Sequence, residues 1–127
     1  MVFRVEVAPQ TLEDLDAIAA YIKQRGSFES AESWFNEVID AIRTLENMPK
    51  RCPAAQESAD LGTEVRLLFH GKRNRGYKVY FAIYEATQTV RVFHVRHWAR
   101  RQPHIRELRD WLPGAPETPP PSSPSDR

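Results

Sequence analysis

Residues 76–97 read GYKVYFAIYEATQTVRVFHVRH. Two runs rich in β-branched and aromatic residues, GYKVYFAIY (76–84) and TVRVFHV (89–95), stand either side of EATQ (85–88). Runs of this composition separated by so few residues predict two strands joined as a hairpin. Strands that close in sequence pair antiparallel. EVRLLFH (64–70), connected to the first run by GKRNR (71–75), adds a third member and makes a meander. A sheet of this kind has an apolar face that must be covered.

The cover lies upstream. VFRVEV (2–7) alternates as a short strand and ends near Pro9. Thr11 and Asp14 then form a Thr-x-x-Asp variant of the capping box, ahead of Leu15, Ile18, Ala19 and Ile22 at helical spacing. Gly26 supplies the expected stop, because glycine can take the left-handed conformation that ends a helix. Ser27 or Ser30 can cap a second helix, whose apolar face runs through Ala31, Trp34, Phe35, Val38, Ala41, Ile42 and Leu45 until Pro49. Trp34 and Phe35 at that spacing read as packing residues. The two helices form a hairpin with one greasy face. KRCPAAQESADLG (50–62) is the connecting loop. The prediction is an α+β domain: an N-terminal strand, an antiparallel helical hairpin packed on an antiparallel β-sheet, and a short C-terminal helix within RRQPHIRELRDWL (100–112). The domain spans residues 1–112, and the Pro/Ser-rich tail 113–127 buries too little apolar surface to order itself.

Composition narrows the function classes. The chain has 127 residues, enough for one core without staples. A lone Cys52 rules out a disulfide framework and a cysteine-based zinc site. No segment reads as a signal peptide or as a membrane span of roughly 20 apolar residues, so a soluble, cytoplasmic protein is expected. The net charge of +1 hides a polarised chain: −5 over residues 1–63, +7 over 64–111 and −1 over 112–127. Either the halves neutralise each other across the fold, or the second half meets a polyanion.

All four histidines fall in the basic segment. His94 and His97 invite a metal reading, but three residues along a strand places them on opposite faces. With no His-Glu-x-x-His or Cys-x-x-Cys, neither a metal nor another cofactor is expected. His94 reads as a packed or hydrogen-bonded strand residue.

The cations that remain are Arg66 on the first meander strand, Lys72, Arg73 and Arg75 in the turn, Lys78 on the second strand, and Arg96, Arg100 and Arg101 around the exit of the third. Antiparallel order brings the end of the third strand beside the start of the second, so Lys78, the 71–75 turn and His97 can share one edge. Such a surface suits a nucleic-acid backbone, with Tyr77, Tyr80 and Trp98 available to stack on unpaired bases. Metal-free RNA cleavage needs a base for the 2′-OH, an acid for the 5′-oxygen and cations over the phosphate. His97 is the natural acid/base candidate, and the arginines suit the developing charge. A solvated basic edge, with His97 an incidental surface residue, also accounts for the pattern.

In order along the chain, LEDLDAIAAYI (12–22), AESWFNEVIDAIRTLENMP (31–49), GTEVRLLFHGKRNRGYKVYFAIY (62–84) and VRVFHVRHWAR (90–100) resemble the RelE/ParE superfamily, the toxins of type II toxin–antitoxin (plasmid stabilisation) modules. The resemblance covers about residues 3–102. It implies a small cytosolic toxin in a hetero-oligomer with a co-encoded antitoxin. RelE-like members are mRNA interferases that cleave mRNA on the ribosome without metal; ParE-like members poison DNA gyrase. The resemblance places catalytic residues at Arg66, at Lys78 within Gly76-Tyr77-Lys78 and at His97; Arg100 of the basic constellation joins them as a catalytic candidate. Lys72, Arg73, Arg75, Tyr77, Arg96, Trp98 and Arg101 fall in the nucleic-acid contact surface. The chain has no tyrosine after Tyr84, where RelE-like nucleases often carry a catalytic one, and its long acidic first helix is ParE-like. Ribosomal mRNA cleavage is the leading expectation. Gyrase inhibition, or an attenuated toxin that only binds antitoxin, are the alternatives.

Overall fold

The computed structural model describes residues 2–56, 58–71 and 76–97. In chain order the elements are β1 (Arg4–Val7), α1 (Pro9–Arg25), α2 (Phe28–Arg43), a four-residue α3 (Ser58–Leu61), β2 (Val65–His70), β3 (Tyr77–Tyr84) and β4 (Thr89–His97). They build the expected α+β fold, with the two long helices packed on a four-stranded sheet of order β1-β4-β3-β2. The expected C-terminal helix (100–112) and tail (113–127) lie outside the described residues.

β2, β3 and β4 pair antiparallel, as their short connections require. β1 instead runs parallel to β4, from Arg4↔Thr89 to Val7↔Val92, so the sheet is mixed rather than wholly antiparallel. Its ladder continues for one bond beyond the strand, where the Ala8 amide donates to the Val92 carbonyl at 2.9 Å. The chain then turns into α1.

Both helix starts follow from local chemistry, though α1 differs from expectation. It begins three residues earlier than the Thr11–Asp14 motif implies. Pro9 occupies the first turn, where its fixed φ is pre-organised and its missing N–H costs nothing. Thr11 is consequently inside the helix and fully buried, with its hydroxyl unpaired, so it caps nothing. Gly26 ends α1 with φ −132°, not in the left-handed region. Its amide bonds to the Ile22 carbonyl, and a Cβ there would stand 3.3 Å from that same oxygen. Close approach, rather than handedness, selects the glycine. At α2, Ser27 is the cap: its hydroxyl accepts from the Ser30 amide at 3.0 Å. α2 stops at Arg43, six residues before Pro49, and a short 3-10 turn (Thr44–Glu46) carries Leu45 into the core.

One apolar layer lies between helices and sheet. Leu15, Val38, Ile42 and Leu45 meet Val79, Phe81, Ile83, Val90, Val92 and Val95, with Trp34, Phe35 and Tyr77 packed at its margin. A second, smaller cluster on the opposite face joins Val65, Tyr80, Ala82 and Phe93 to Ala55. β3 is therefore buried on both sides, which is why its sequence runs apolar from Val79 to Ile83 without alternation. The segment expected as plain loop supplies that second cover. Its residues 53–55 also bond along the outer edge of β2, with Ala55 N–H to Val65 O and Leu67 N–H to Pro53 O, both at 2.9 Å.

Candidate functional site

The β3–β4 ladder decides where the candidate residues stand. Tyr80 pairs with His94 but Phe81 pairs with Val92, leaving Phe93 as an extra residue on β4. This β-bulge shifts the alternation of everything after it. Val90 and Val92 face the helices, and after the bulge Val95 and His97 do so as well. Phe93, His94 and Arg96 face the other way. Directly opposed strand residues share a face. Lys78 therefore stands beside its partner Arg96 on the side away from the helices, and Tyr77 stands beside His97 on the helix side.

His94 is 7% exposed. Its Nε2 accepts a hydrogen bond from Arg96 Nε at 3.2 Å, and its ring lies 5.4 Å from that of Tyr80. The expectation of a packed, hydrogen-bonded strand histidine holds. His97 differs: it is partly exposed, and its ring stands perpendicular to Tyr77 with centroids 5.1 Å apart. Tyr77 in turn meets Trp34 of α2 at 5.2 Å and 62°.

A cleft of about 910 Å³ opens along this end of β4. β1 ends at Val7, so β4 beyond Val92 has no strand neighbour on that side among the described residues. α1 forms the opposite wall with Gln10, Asp14, Ala17, Ile18 and Tyr21. Because the cleft follows a strand edge, residues from both faces of the sheet reach it. Arg96 from one face and His97 from the other line the same space, together with Tyr77 and His94. The arrangement offers a cation, a titratable imidazole and aromatic surface around a half-open slot. The chemistry matches an anionic, partly aromatic ligand such as a nucleotide in an unpaired strand.

Lys78 is 8% exposed and adjoins the cleft behind Arg96 rather than lining it. Arg66 does not join the group. It pairs with Phe81, three positions from Lys78 along β3, or about 10 Å at the strand rise. It also faces the helix side. Its guanidinium is engaged there by Glu64 Oε2 at 2.8 Å and by the Cys52 carbonyl at 2.6 Å. Lys50 bonds to both Glu85 and Glu64 in the same network, and its hydrogen bond to Glu85 raises its pKa. Arg66 thus ties the 50–52 turn to the sheet. Lys72, Arg73, Arg75, Trp98, Arg100 and Arg101 lie outside the described residues. Among the described residues no three of His, Cys, Asp or Glu stand together as metal ligands, and no helix is long and apolar enough to cross a membrane.

Sequence reasoning missed the α1 wall. Asp14 was read as part of a cap, and Tyr21 passed unremarked although it is an exposed aromatic on an amphipathic helix. The bulge did leave a trace: the inward valines step by two from Val90 to Val92 and then by three to Val95.

The sequence matches the family model "ParE toxin of type II toxin-antitoxin system, parDE" over residues 5–102. A search of curated proteins finds no match. Among solved structures, the chain is similar to one from the chromosomal ParDE toxin–antitoxin system of P. aeruginosa, with TM-score 0.60 and 12% identity over 76% of this chain and 96% of that one. It is also similar to a chain of the archaeal RelE–RelB complex from Pyrococcus horikoshii OT3, with TM-score 0.46 and 14% identity over 80% of this chain and all of that one. At 12% identity the likeness to the ParDE structure speaks for the fold alone.

Proposed function

Since this chain belongs to the ParE toxin family of type II toxin–antitoxin systems, we propose that it is held inactive by a cognate antitoxin and, once released, arrests translation by cleaving mRNA on the ribosome. One observation carries the choice of target. Lys78 and Arg96 are cross-strand partners, and the next register position brings in His97 with Tyr77, beside a cleft that a single strand of RNA can enter. In this reading Arg96 binds the scissile phosphate and Lys78 reinforces the positive potential behind it. His97 moves the proton of the 2′-OH or of the 5′-leaving oxygen. Tyr77 and Tyr21 offer surfaces for a base. Arg100 and the other cations of the turn and the chain beyond His97 extend the phosphate contacts.

A second reading has its own support. Arg66, which a RelE-like site would use, is engaged elsewhere, and the matching family is described as ParE. Both favour inhibition of DNA gyrase, in which the same cationic end binds protein. Primer extension on mRNA in a cell-free translation reaction, run beside a gyrase supercoiling assay, separates the two. Breaks within codons that require ribosomes and disappear with His97→Ala support the nuclease. Intact mRNA with lost supercoiling rejects it in favour of gyrase.

A further inference from the structure

We infer that Trp34, on α2, is a positioning residue for His97, acting through the ring of Tyr77. The inference rests on the nuclease reading, in which the orientation of the His97 imidazole matters to the reaction. The backbone register fixes the His97 Cα opposite Tyr77 but leaves its two side-chain torsions open. The perpendicular contact with Tyr77, at 5.1 Å and 89°, is one restriction on the ring. The Tyr77 ring is restricted in the same way by the indole of Trp34, at 5.2 Å and 62°. Three rings therefore form a row from the helical layer to the lip of the cleft, and only its last two members line that cleft. Perpendicular aromatic contacts of this kind are directional, because each ring presents a negative face to a positive edge. A mere volume filler at position 34 would keep the core packed and lose that direction.

Proton transfer demands geometry as well as a suitable group, and displacement of about 1 Å can cost on the order of 100-fold in rate. Among the described residues none of α2 lines the cleft, so Trp34 acts on the chemistry through its contact with Tyr77. It is not a catalytic residue, since it does not line the space where RNA would sit.

The test uses the full-length chain with Trp34→Leu and Trp34→Phe. Three quantities are measured: single-turnover cleavage on programmed ribosomes, affinity for those ribosomes, and the NMR position of the His97 ring protons. The expected result is cleavage at least 10-fold slower in Trp34→Leu with affinity unchanged, and recovery to within about threefold in Trp34→Phe, which keeps a ring edge for Tyr77. The His97 ring resonances should move in the leucine variant and return towards their original position in the phenylalanine variant. Cleavage by Trp34→Leu at the parental rate overturns the inference, as does equal impairment of both variants. If the parent protein cleaves no mRNA, the nuclease reading has failed, and the resonances alone decide: unchanged His97 signals in Trp34→Leu overturn the positioning role, and moved signals support it. Should Trp34→Leu fail to fold, Trp34→Met takes its place on the same readouts.

Discussion

Tyr77 and His97 face each other across the β3–β4 ladder as register partners, with their rings perpendicular and 5.1 Å apart. Tyr77 also meets Trp34 of the helical layer, and both Tyr77 and His97 line the cleft. His97→Ala removes one ring from a partly exposed pair, so it should cost only about 1 kcal/mol of stability. A general acid or base contributes about 10²–10⁴-fold. If the protein cleaves mRNA as proposed, ribosome-dependent cleavage should therefore fall at least 100-fold while the urea midpoint moves little. Full cleavage by the folded variant removes His97 from the chemistry.

Arg66 should behave in the opposite way. Its hydrogen bonds run to Glu64 and to the carbonyls of Lys50 and Cys52, in a site it shares with the turn rather than with the cleft. Charged hydrogen bonds of this sort contribute about 1.5–3 kcal/mol each before screening, and this side chain is about one-fifth exposed. Arg66→Ala should lower unfolding free energy by roughly 1–3 kcal/mol and leave cleavage per folded molecule unchanged. Loss of cleavage without loss of stability would show that Arg66 reaches the substrate after all.

Arg96 lines the cleft beside His97 and bonds to His94. If it neutralises one phosphate of a single strand, Arg96→Gln should reduce the salt dependence of binding to a single-stranded RNA probe by a slope of about 0.7. Affinity should fall most at low salt. An unchanged slope means that Arg96 serves His94 and the sheet only.

Alkaline stability depends on two neutral acids. Burial pushes the Cys52 thiol above its ordinary range, and burial does the same to the Tyr84 phenol, with Arg91 opposing it. The folded chain therefore holds these protons at pH values where the unfolded chain has released them. Their contribution is fully present below the unfolded pKa and is lost as pH rises through the folded one. Unfolding free energy should decline above about pH 8.5 for the thiol and about pH 10 for the phenol. Cys52→Ala should flatten the first part of that decline and Tyr84→Phe the second, whatever each does to stability at pH 7. A decline of equal slope in both variants would place its origin elsewhere.

The sequence by itself determined what local pattern can carry. Helical spacing from Leu15 to Ile22 and from Ala31 to Leu45, and three β-rich runs with short connections, dictate a helical hairpin over an antiparallel meander. Alternation along a strand keeps His94 and His97 on different faces, but Lys78 comes opposite Arg96 only through the bulge at Phe93. Boundaries were less legible where two signals competed: Pro9 outranks Thr11 as a helix start because a fixed φ suits the first turn.

Only the tertiary structure decided the rest, because it depends on pairings between residues far apart in sequence. β1 meets β4 across 85 positions, parallel, and stops at Val7. Nothing local to either strand specifies that partner, and the edge of β4 beyond Val92, without a strand neighbour among the described residues, follows from it. Arg66 looked like a member of the basic constellation because it is basic and on a strand. Pairing with Phe81 turned it to the helix side, where backbone carbonyls and Glu64 hold it. Trp34 looked like core alone, until packing of α2 on the sheet set its indole against Tyr77. Side-chain direction in a sheet reverses with every residue, so one bulge and one register determine which charges share a site.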